Sequence, residues 1–229
     1  MKLNKIALAC GAALLGATAV AQAEISANIG ATSNYVWRGV TQTDDQAAIQ
    51  GGIDWAGDSG FYAGTWVSNV DFGPGSGETE WDLYGGYAGE MGGLGYDVGY
   101  IQYLYPDTAD ADFGEIYLGL SWEWLSGGVN YTVTSDVNEP GVFVDGDVYA
   151  YISASFDLPQ GFSGGVTIGQ YWFDYDGDAA VGDVDYMHGQ IDISKSAGDF
   201  GDFTFTLSVA EKESGSDDII PFVSWGKTF

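Results

Sequence analysis

The most informative side chains that could do chemistry in this sequence are charged residues on one face of short segments in which polar and apolar residues alternate. Two-residue spacing puts such side chains on one face of a β-strand. The charged members of that face are Arg38, Asp54, Glu80, Asp82, Asp97, Glu115 and Asp192. One arginine among these acids fits two arrangements. It could create a field across an acidic passage that prefers cations, or it could form buried ion pairs that fill the interior.

A second group of carboxylates lies in segments rich in Gly and Asp. Asp174, Asp176 and Asp178 alternate as in the start of a calcium-binding loop. Ala179 stands where such a loop needs Gly, and Asp185 replaces its bidentate Glu, so an EF-hand is not predicted. The sequence predicts at most diffuse binding of divalent cations here, with bridging of lipopolysaccharide phosphates as a use. A solvated acidic surface is the favoured interpretation, and we assign no metal site.

Catalytic chemistry has little support in the residue types. His188 is the only histidine, and the nearest acid on its face, Asp192, lies four residues further on. In a strand that spacing is about 13 Å, too far for a base and the group that orients it. The Gly-x-Ser-x-Gly pattern occurs only at residues 161–165 (GFSGG), where alternation predicts a β-strand and not the strand-to-helix turn of a nucleophile elbow. We therefore predict no catalytic residues, no cofactor and no enzymatic activity.

The first 23 residues read as a secretory signal peptide. Lys2 and Lys5 precede an apolar run, and Ala21-Gln22-Ala23 has the small-x-small pattern of a cleavage site. Cys10 follows too short an apolar run for a lipoprotein signal. The expected domains are therefore a signal peptide at residues 1–23 and one exported unit at residues 24–229, which contains no cysteine.

The exported unit is strongly acidic. Its four basic residues face 33 acidic ones, which gives a net charge of −29 and excludes nucleic acid as a partner by repulsion. In the full sequence, an aromatic content of 15 % and 36 glycines argue against disorder. After residue 23 no apolar run of about 18 residues occurs, so a transmembrane helix is not predicted.

Alternation of apolar and polar residues predicts twelve β-strands. The first spans Ile25–Val40, and the last, Ile219–Phe229, ends on an aromatic residue. A final strand of this kind closes an outer-membrane barrel against the first strand and is the segment we expect the barrel-assembly machinery to bind. Aromatic residues on the apolar face are expected to form girdles at the membrane interfaces: Tyr35, Trp37, Trp55, Trp81, Tyr87, Trp122, Trp172 and Trp225.

The connections between the predicted strands alternate in length. Apart from a modest first connection at Thr41–Asp45, the odd-numbered ones are long and acidic, and the even ones are mostly tight turns. Outer-membrane barrels have short periplasmic turns, longer extracellular loops and an even strand number. The predicted fold is therefore all-β: an antiparallel transmembrane β-barrel of twelve strands with longer acidic extracellular loops. A soluble sandwich has no reason to sort its loops in this way.

Several stretches resemble a known family. They are Ser33–Thr43 (SNYVWRGVTQT), Ala48–Asp54 (AIQGGID), Gly60–Trp66 (GFYAGTW), Ser68–Phe72 (SNVDF) and the ending Pro221–Phe229. These stretches are similar to the bacterial TorF-type porins, the Gcw_chp proteins. The resemblance implies an outer-membrane barrel with a pore, and it brings neither a substrate nor catalytic residues.

These observations predict a porin-like barrel in the outer membrane of a Gram-negative bacterium, which lets small polar, chiefly cationic, solutes diffuse passively. Its expected partners are outer-membrane lipid, lipopolysaccharide and those solutes. The alternative is a non-conducting structural or surface-interaction barrel whose acidic loops bind cations.

Overall fold

The structure is a computed structural model that describes residues 24–74, 78–138, 141–174 and 184–229. The predicted signal peptide at residues 1–23 lies outside this range. Within the four described ranges, no helix has the length and hydropathy needed to cross a bilayer.

The described residues form fourteen β-strands and three short 3-10 helices. The strands are β1 (Glu24–Thr32), β2 (Val36–Trp37), β3 (Val40–Thr41), β4 (Ala48–Ala56), β5 (Phe61–Asn69), β6 (Thr79–Met91), β7 (Leu94–Leu104), β8 (Phe113–Trp122), β9 (Leu125–Ser135), β10 (Val148–Leu158), β11 (Phe162–Trp172), β12 (Tyr186–Ser196), β13 (Asp202–Ala210) and β14 (Ile220–Thr228). The 3-10 helices are Pro159–Gly161, Gly198–Phe200 and Lys212–Ser214.

Twelve of these strands close into one antiparallel barrel, as predicted. Each strand pairs with the next along the chain, except that β1 pairs with β4 on one side and with β14 on the other. The backbone of Phe229 exchanges two hydrogen bonds with Ala27, at 2.8 and 3.3 Å. Closure leaves no open sheet edge, which is the condition for a sheet to stand in lipid.

The outer surface of the barrel is apolar along every strand. Ile25, Ile49 and Trp122 expose 74 %, 64 % and 59 % of their surface there, although all three are strongly hydrophobic. Period-2 alternation places these residues outward and the polar residues between them inward. The predicted outward face of the strands from β4 onward is confirmed, as is the aromatic character of Trp55, Trp81 and Trp172 on it.

The two ends of the barrel differ in their connections. We call the end with residues 57–60, 92–93, 123–124, 159–161 and 197–201 the inner end, because its turns are short. The outer end carries the described parts of the other connections, at residues 33–47, 70–74, 78, 105–112, 136–138, 141–147, 173–174, 184–185 and 211–219. The predicted alternation of short and long connections is confirmed.

The first connection differs from its prediction. β1 ends at Thr32, and residues 33–47 turn into the barrel, where β2 and β3 form a small hairpin. We call residues 33–47 the lumen hairpin. The prediction that Tyr35 and Trp37 face lipid is wrong, because both are buried inside, with 3 % and 8 % of their surface exposed. The prediction of a loop at Thr41–Asp45 is also wrong at Thr41, which belongs to the returning strand β3.

The hydrophobic core lies inside the outer half of the barrel. It combines the two aromatic residues of the lumen hairpin with inward-facing residues of the barrel wall and connections. Its members are Tyr35, Trp37, Ala48, Val70, Ile101, Tyr103, Tyr105, Phe113, Tyr149, Tyr171, Tyr186 and Ala210. A side chain at the outer end of an inward face therefore meets this core, while one at the inner end meets a more open lumen.

Candidate functional site

Arg38 forms the central polar contact of the lumen. Its two terminal nitrogens donate to the two carboxylate oxygens of Glu115 on β8, at 2.7 and 2.6 Å. Arg38 exposes 8 % of its surface and Glu115 exposes 1 %. Asn130 of β9 donates a further hydrogen bond to Glu115 at 2.9 Å. This is a bidentate, charge-assisted pair of the strong kind, withdrawn from bulk water.

The guanidinium of Arg38 also lies among aromatic rings. Its central carbon is 4.1 Å from the ring centre of Trp37, 4.2 Å from that of Tyr149 and 5.0 Å from that of Tyr171. Planar guanidinium groups pack well on ring faces, and the attraction grows when the contact is desolvated. The lumen hairpin is thus held by both the ion pair and its aromatic surroundings.

The local sequence explains how Arg38 reaches this position. Arg38 and Gly39 are the two-residue loop between β2 and β3, and both have positive φ, at 48° and 88°. That backbone is the one required by the tight turns that suit two-residue hairpins, and Gly adopts it without strain. A Cβ on Gly39 would lie 2.6 Å from the Cβ of His188. The hairpin tip therefore presses against β12, and Arg38 turns towards β8.

Glu80 and Asp82 lie on the lumen face of β6 without a basic partner. Glu80, 2 % exposed, accepts a hydrogen bond from the Tyr35 hydroxyl at 3.1 Å. Asp82 is 7 % exposed, and its Oδ1 has no hydrogen-bond partner among the described residues. The predicted acidic wall is therefore split, because Glu115 pairs with Arg38 while the two acids of β6 line the opposite flank of the hairpin.

The inner half of the lumen holds Asp54 and Asp97 among tyrosines. Tyr84 donates to Asp54 at 2.5 Å, and Tyr62 donates to Asp97 at 2.5 Å. The Tyr62 hydroxyl also contacts that of Tyr117. These tyrosines are partly exposed to the lumen, in contrast to the buried tyrosines of the outer half.

The remaining lumen candidates are His188 and Asp192 on β12. Asp192 accepts hydrogen bonds from Thr206 at 2.7 Å and from Gln190 at 3.0 Å. The Nε2 atom of His188 shares a hydrogen bond with the Tyr149 hydroxyl at 2.9 Å, and its Nδ1 has no partner among the described residues. In these hydrogen bonds His188 meets a tyrosine hydroxyl and Asp192 meets a threonine hydroxyl and an amide, and the two side chains share no partner.

The outer connections are tied together at Asp147. Its carboxylate accepts hydrogen bonds from the backbone of Asp174 at 2.7 Å and of Val144 at 3.1 Å. Burial raises the pKa of Asp147 to about 6, although the backbone hydrogen bonds act in the opposite direction. Asp176 and Asp178, the other members of the predicted cation-binding loop, lie outside the described residues.

The described parts of the chain contain no group of three or more His, Cys, Asp and Glu side chains that could hold a metal ion. Asp174 contributes its backbone N–H to Asp147, and the loop prediction for divalent cations stays a prediction.

Sequence reasoning missed two features of this lumen, namely the lumen hairpin and the contacts made by the inward tyrosines. The lumen hairpin has a local signal, the pair Arg38-Gly39 between two dipeptides of high β-propensity. Alternation puts Tyr62, Tyr84 and Tyr117 on the polar face of their strands, but nothing in the sequence tells which glycines and acids their rings meet.

Solved structures with a similar fold include two porins. The KdgM porin matches with a TM-score of 0.56 and 9 % identity, over 89 % of this chain and 98 % of that chain. The NanC porin matches with a TM-score of 0.51 and 11 % identity, over 90 % of this chain and 98 % of that chain. The fold is therefore that of the porin β-barrels, and at these identities the likeness concerns the fold alone.

The family follows from the sequence. A family model described as "Bacterial protein of unknown function (Gcw_chp)" matches residues 16–210, and the chain belongs to this family. No curated protein matches the chain.

Proposed function

We propose that this protein is an outer-membrane channel of the TorF type, through which small polar and cationic solutes diffuse passively. The observation that carries the proposal is the contrast between the two surfaces of the barrel. The outside is apolar along every strand, and the inside is lined by Ser, Thr, Tyr and acids, with Asp54 and Asp97 free of any basic partner in the described residues. Such a lining favours cations over anions.

The lumen hairpin gives this channel a closed conformation. Arg38, Tyr171 and Thr132 expose 8 %, 0 % and 0 % of their surface, so the outer half of the lumen is packed at their level. Conduction then requires the hairpin to leave its position between β8 and β12. Barrels of about eight strands are filled by side chains and those of sixteen leave an aqueous channel, so twelve strands leave room for a movable element.

A second candidate function is a non-conducting barrel that acts through its acidic outer loops. The bidentate ion pair of Arg38 with Glu115 favours it, because a permanently packed hairpin would make the barrel a structural element. In either case the proposed partners are outer-membrane lipid, lipopolysaccharide and, through the strand ending at Phe229, the barrel-assembly machinery. Export by a signal peptide at residues 1–23 belongs to the same proposal.

The test is a planar-bilayer recording of the purified barrel in a gradient of potassium chloride. Replacement of residues 34–46 by a short Gly-Ser linker removes the hairpin, and insertion of the same linker at the inner turn, residues 92–93, is the matched control. We expect rare currents from the unmodified protein and from the control, and a large cation-selective current without the hairpin. Anion selectivity contradicts the cation preference, and silence of a folded hairpin-free barrel supports the non-conducting candidate.

A further inference from the structure

The inner half of the lumen has a lining that the proposed function does not by itself require. We infer that it is a binding site for small organic ammonium ions, formed by the ring faces of four tyrosines and by two carboxylates. The tyrosines are Tyr62, Tyr84, Tyr117 and Tyr151, and the carboxylates are Asp54 and Asp97. The inference rests on the proposed channel function and specifies the class of solute that the lumen would select.

The four tyrosines lie flat against the barrel wall, each across a glycine of a neighbouring strand. A Cβ on Gly64 would lie 2.5 Å from the ring of Tyr84, and a Cβ on Gly128 would lie 2.8 Å from the ring of Tyr151. The other two pairs have the same character: Tyr62 covers Gly86, and Tyr117 covers Gly99. In all four pairs the tyrosine is also the direct cross-strand partner of its glycine.

This arrangement turns ring faces, rather than ring edges, towards the lumen. Each tyrosine occupies the space that a side chain at its glycine would fill, and its partial exposure leaves the side away from the glycine accessible to a ligand. An aromatic face carries partial negative charge and attracts cations within about 6 Å of the ring centre. The pairs lie on β5 and β6, on β7 and β8, and on β9 and β10, and the hydroxyls of Tyr62 and Tyr117 meet between the first two groups.

Each of the two carboxylates accepts a hydrogen bond from the hydroxyl of one of these tyrosines. Asp97 accepts from Tyr62, and Asp54 accepts from Tyr84 and, at 3.1 Å, from Asn28. These donors are neutral and leave the negative charge uncompensated. The basic side chains of residues 24–229 are engaged elsewhere, Arg38 with Glu115, Lys195 with the carbonyl of Gln160, Lys212 with Glu213 and Lys227 over the ring of Phe229.

Organic ammonium ions match this combination better than other solutes do. A small metal ion needs several oxygen ligands around it to replace its water, and the described acids are not grouped for that. Anions are repelled by both the carboxylates and the ring faces. An alkylated ammonium is weakly hydrated, and it gains from the ring faces and the carboxylates together, as in aromatic cages for quaternary ammonium groups.

The site is tested by equilibrium binding, because a ligand can enter from the inner end while the lumen hairpin closes the outer half. The probes are choline and its uncharged isostere 3,3-dimethylbutan-1-ol, measured by calorimetry on the detergent-solubilised barrel at physiological salt. We expect choline to bind about 10-fold more tightly than the isostere, the size of effect that desolvated cation–π contacts with several rings produce. Equal binding of the two probes, or no binding of choline, overturns the site.

The variants separate the ring face from the hydroxyl. Tyr117→Leu should weaken choline binding by about 3- to 10-fold while Tyr117→Phe, which keeps the ring, should stay within about twofold. Tyr131→Leu is the matched control, because Tyr131 is 44 % exposed on the outer face and cannot touch a ligand in the lumen. Heat-dependent gel migration confirms that each variant is folded. If Tyr131→Leu weakens choline binding as much as Tyr117→Leu, the ring faces are not the site.

The outcome is distinguishable from a failure of the channel proposal. A barrel that binds choline but conducts no potassium keeps the site and loses the channel. A barrel that conducts potassium but binds choline no better than the isostere keeps the channel and loses the site.

Discussion

Breaking the contact between Arg38 and Glu115 should release the lumen hairpin. Arg38→Met removes the charge but keeps an unbranched apolar side chain that fits among the rings of Trp37, Tyr149 and Tyr171. Glu115 then remains at 1 % exposure with only neutral donors, of which the nearest is Asn130 at 2.9 Å. The packed conformation thus keeps the buried charge of Glu115 without its counter-ion. Hydration of that charge stabilises the conformation in which the lumen hairpin has moved away.

The size of the effect follows from the burial of the pair. Removing one partner of a buried, hydrogen-bonded ion pair typically costs about 3–5 kcal/mol, because the other charge is left uncompensated. A cost of that size, set against the packed conformation only, raises the ratio of open to closed barrels by roughly 10²-fold to several 10³-fold. The double variant Arg38→Met, Glu115→Leu leaves no charge at this contact, and it should return most of this shift.

The assay is the open probability of single barrels in a planar bilayer at fixed voltage, recorded for the unmodified protein, the single variant and the double variant. Heat-dependent gel migration serves as the check that each barrel is folded. An open probability of Arg38→Met equal to that of the unmodified protein refutes the reasoning. So does a double variant as open as the single one, since the aromatic packing and not the ion pair would then hold the hairpin.

Three further predictions concern neighbouring features. Gly39→Ala should raise the open probability, because a Cβ there would lie 2.6 Å from the Cβ of His188, whereas Gly92→Ala, which also has positive φ but no atom within 4 Å, should not. Asp82→Asn should raise the thermal denaturation midpoint by an amount equivalent to about 1 kcal/mol, because it removes a buried charge whose Oδ1 has no partner in the described residues. The control is Asp157→Asn, at an exposed position. A lowered midpoint of Asp82→Asn contradicts the account. Burial raises the pKa of Asp147 to about 6, above its ordinary value of about 4. Between these two pH values the folded protein binds a proton at Asp147 that the unfolded chain does not bind. The free energy of unfolding should therefore fall as the pH rises from about 4 to about 6. The difference in denaturation midpoint between the unmodified protein and Asp147→Asn, measured across that window, should change with pH and stay constant above it.

The barrel itself could be predicted from the sequence, because alternation reports which face of a strand a residue occupies. Ile49, Ile53 and Trp55 recur at alternate positions of one short segment, and all three are exposed on the outer face of β4. The number of barrel strands and the alternation of their connections followed from the same pattern. These properties depend on neighbours in the chain, which a sequence displays directly.

The lumen hairpin could not be predicted in this way. Tyr35 and Trp37 continue the alternation of β1, and an aromatic residue is equally suited to lipid and to a packed interior. The pattern therefore extended the first strand past Thr32, where the chain in fact leaves the barrel wall. What decides the position of these rings is the space inside the closed barrel, which exists only after β14 has paired with β1.

The partners of the charged residues also depend on the closed barrel and not on the local sequence. The sequence by itself determined that this protein is an acidic, twelve-stranded barrel with an apolar outside, and that six acids face inward. Only the tertiary structure decided that Arg38 meets Glu115, 77 positions away, that Asp82 meets no base, and that tyrosines lie across glycines of the next strand. The physical reason is that facing and spacing are local properties of the backbone, whereas a contact across the lumen depends on the register and closure of all the strands between.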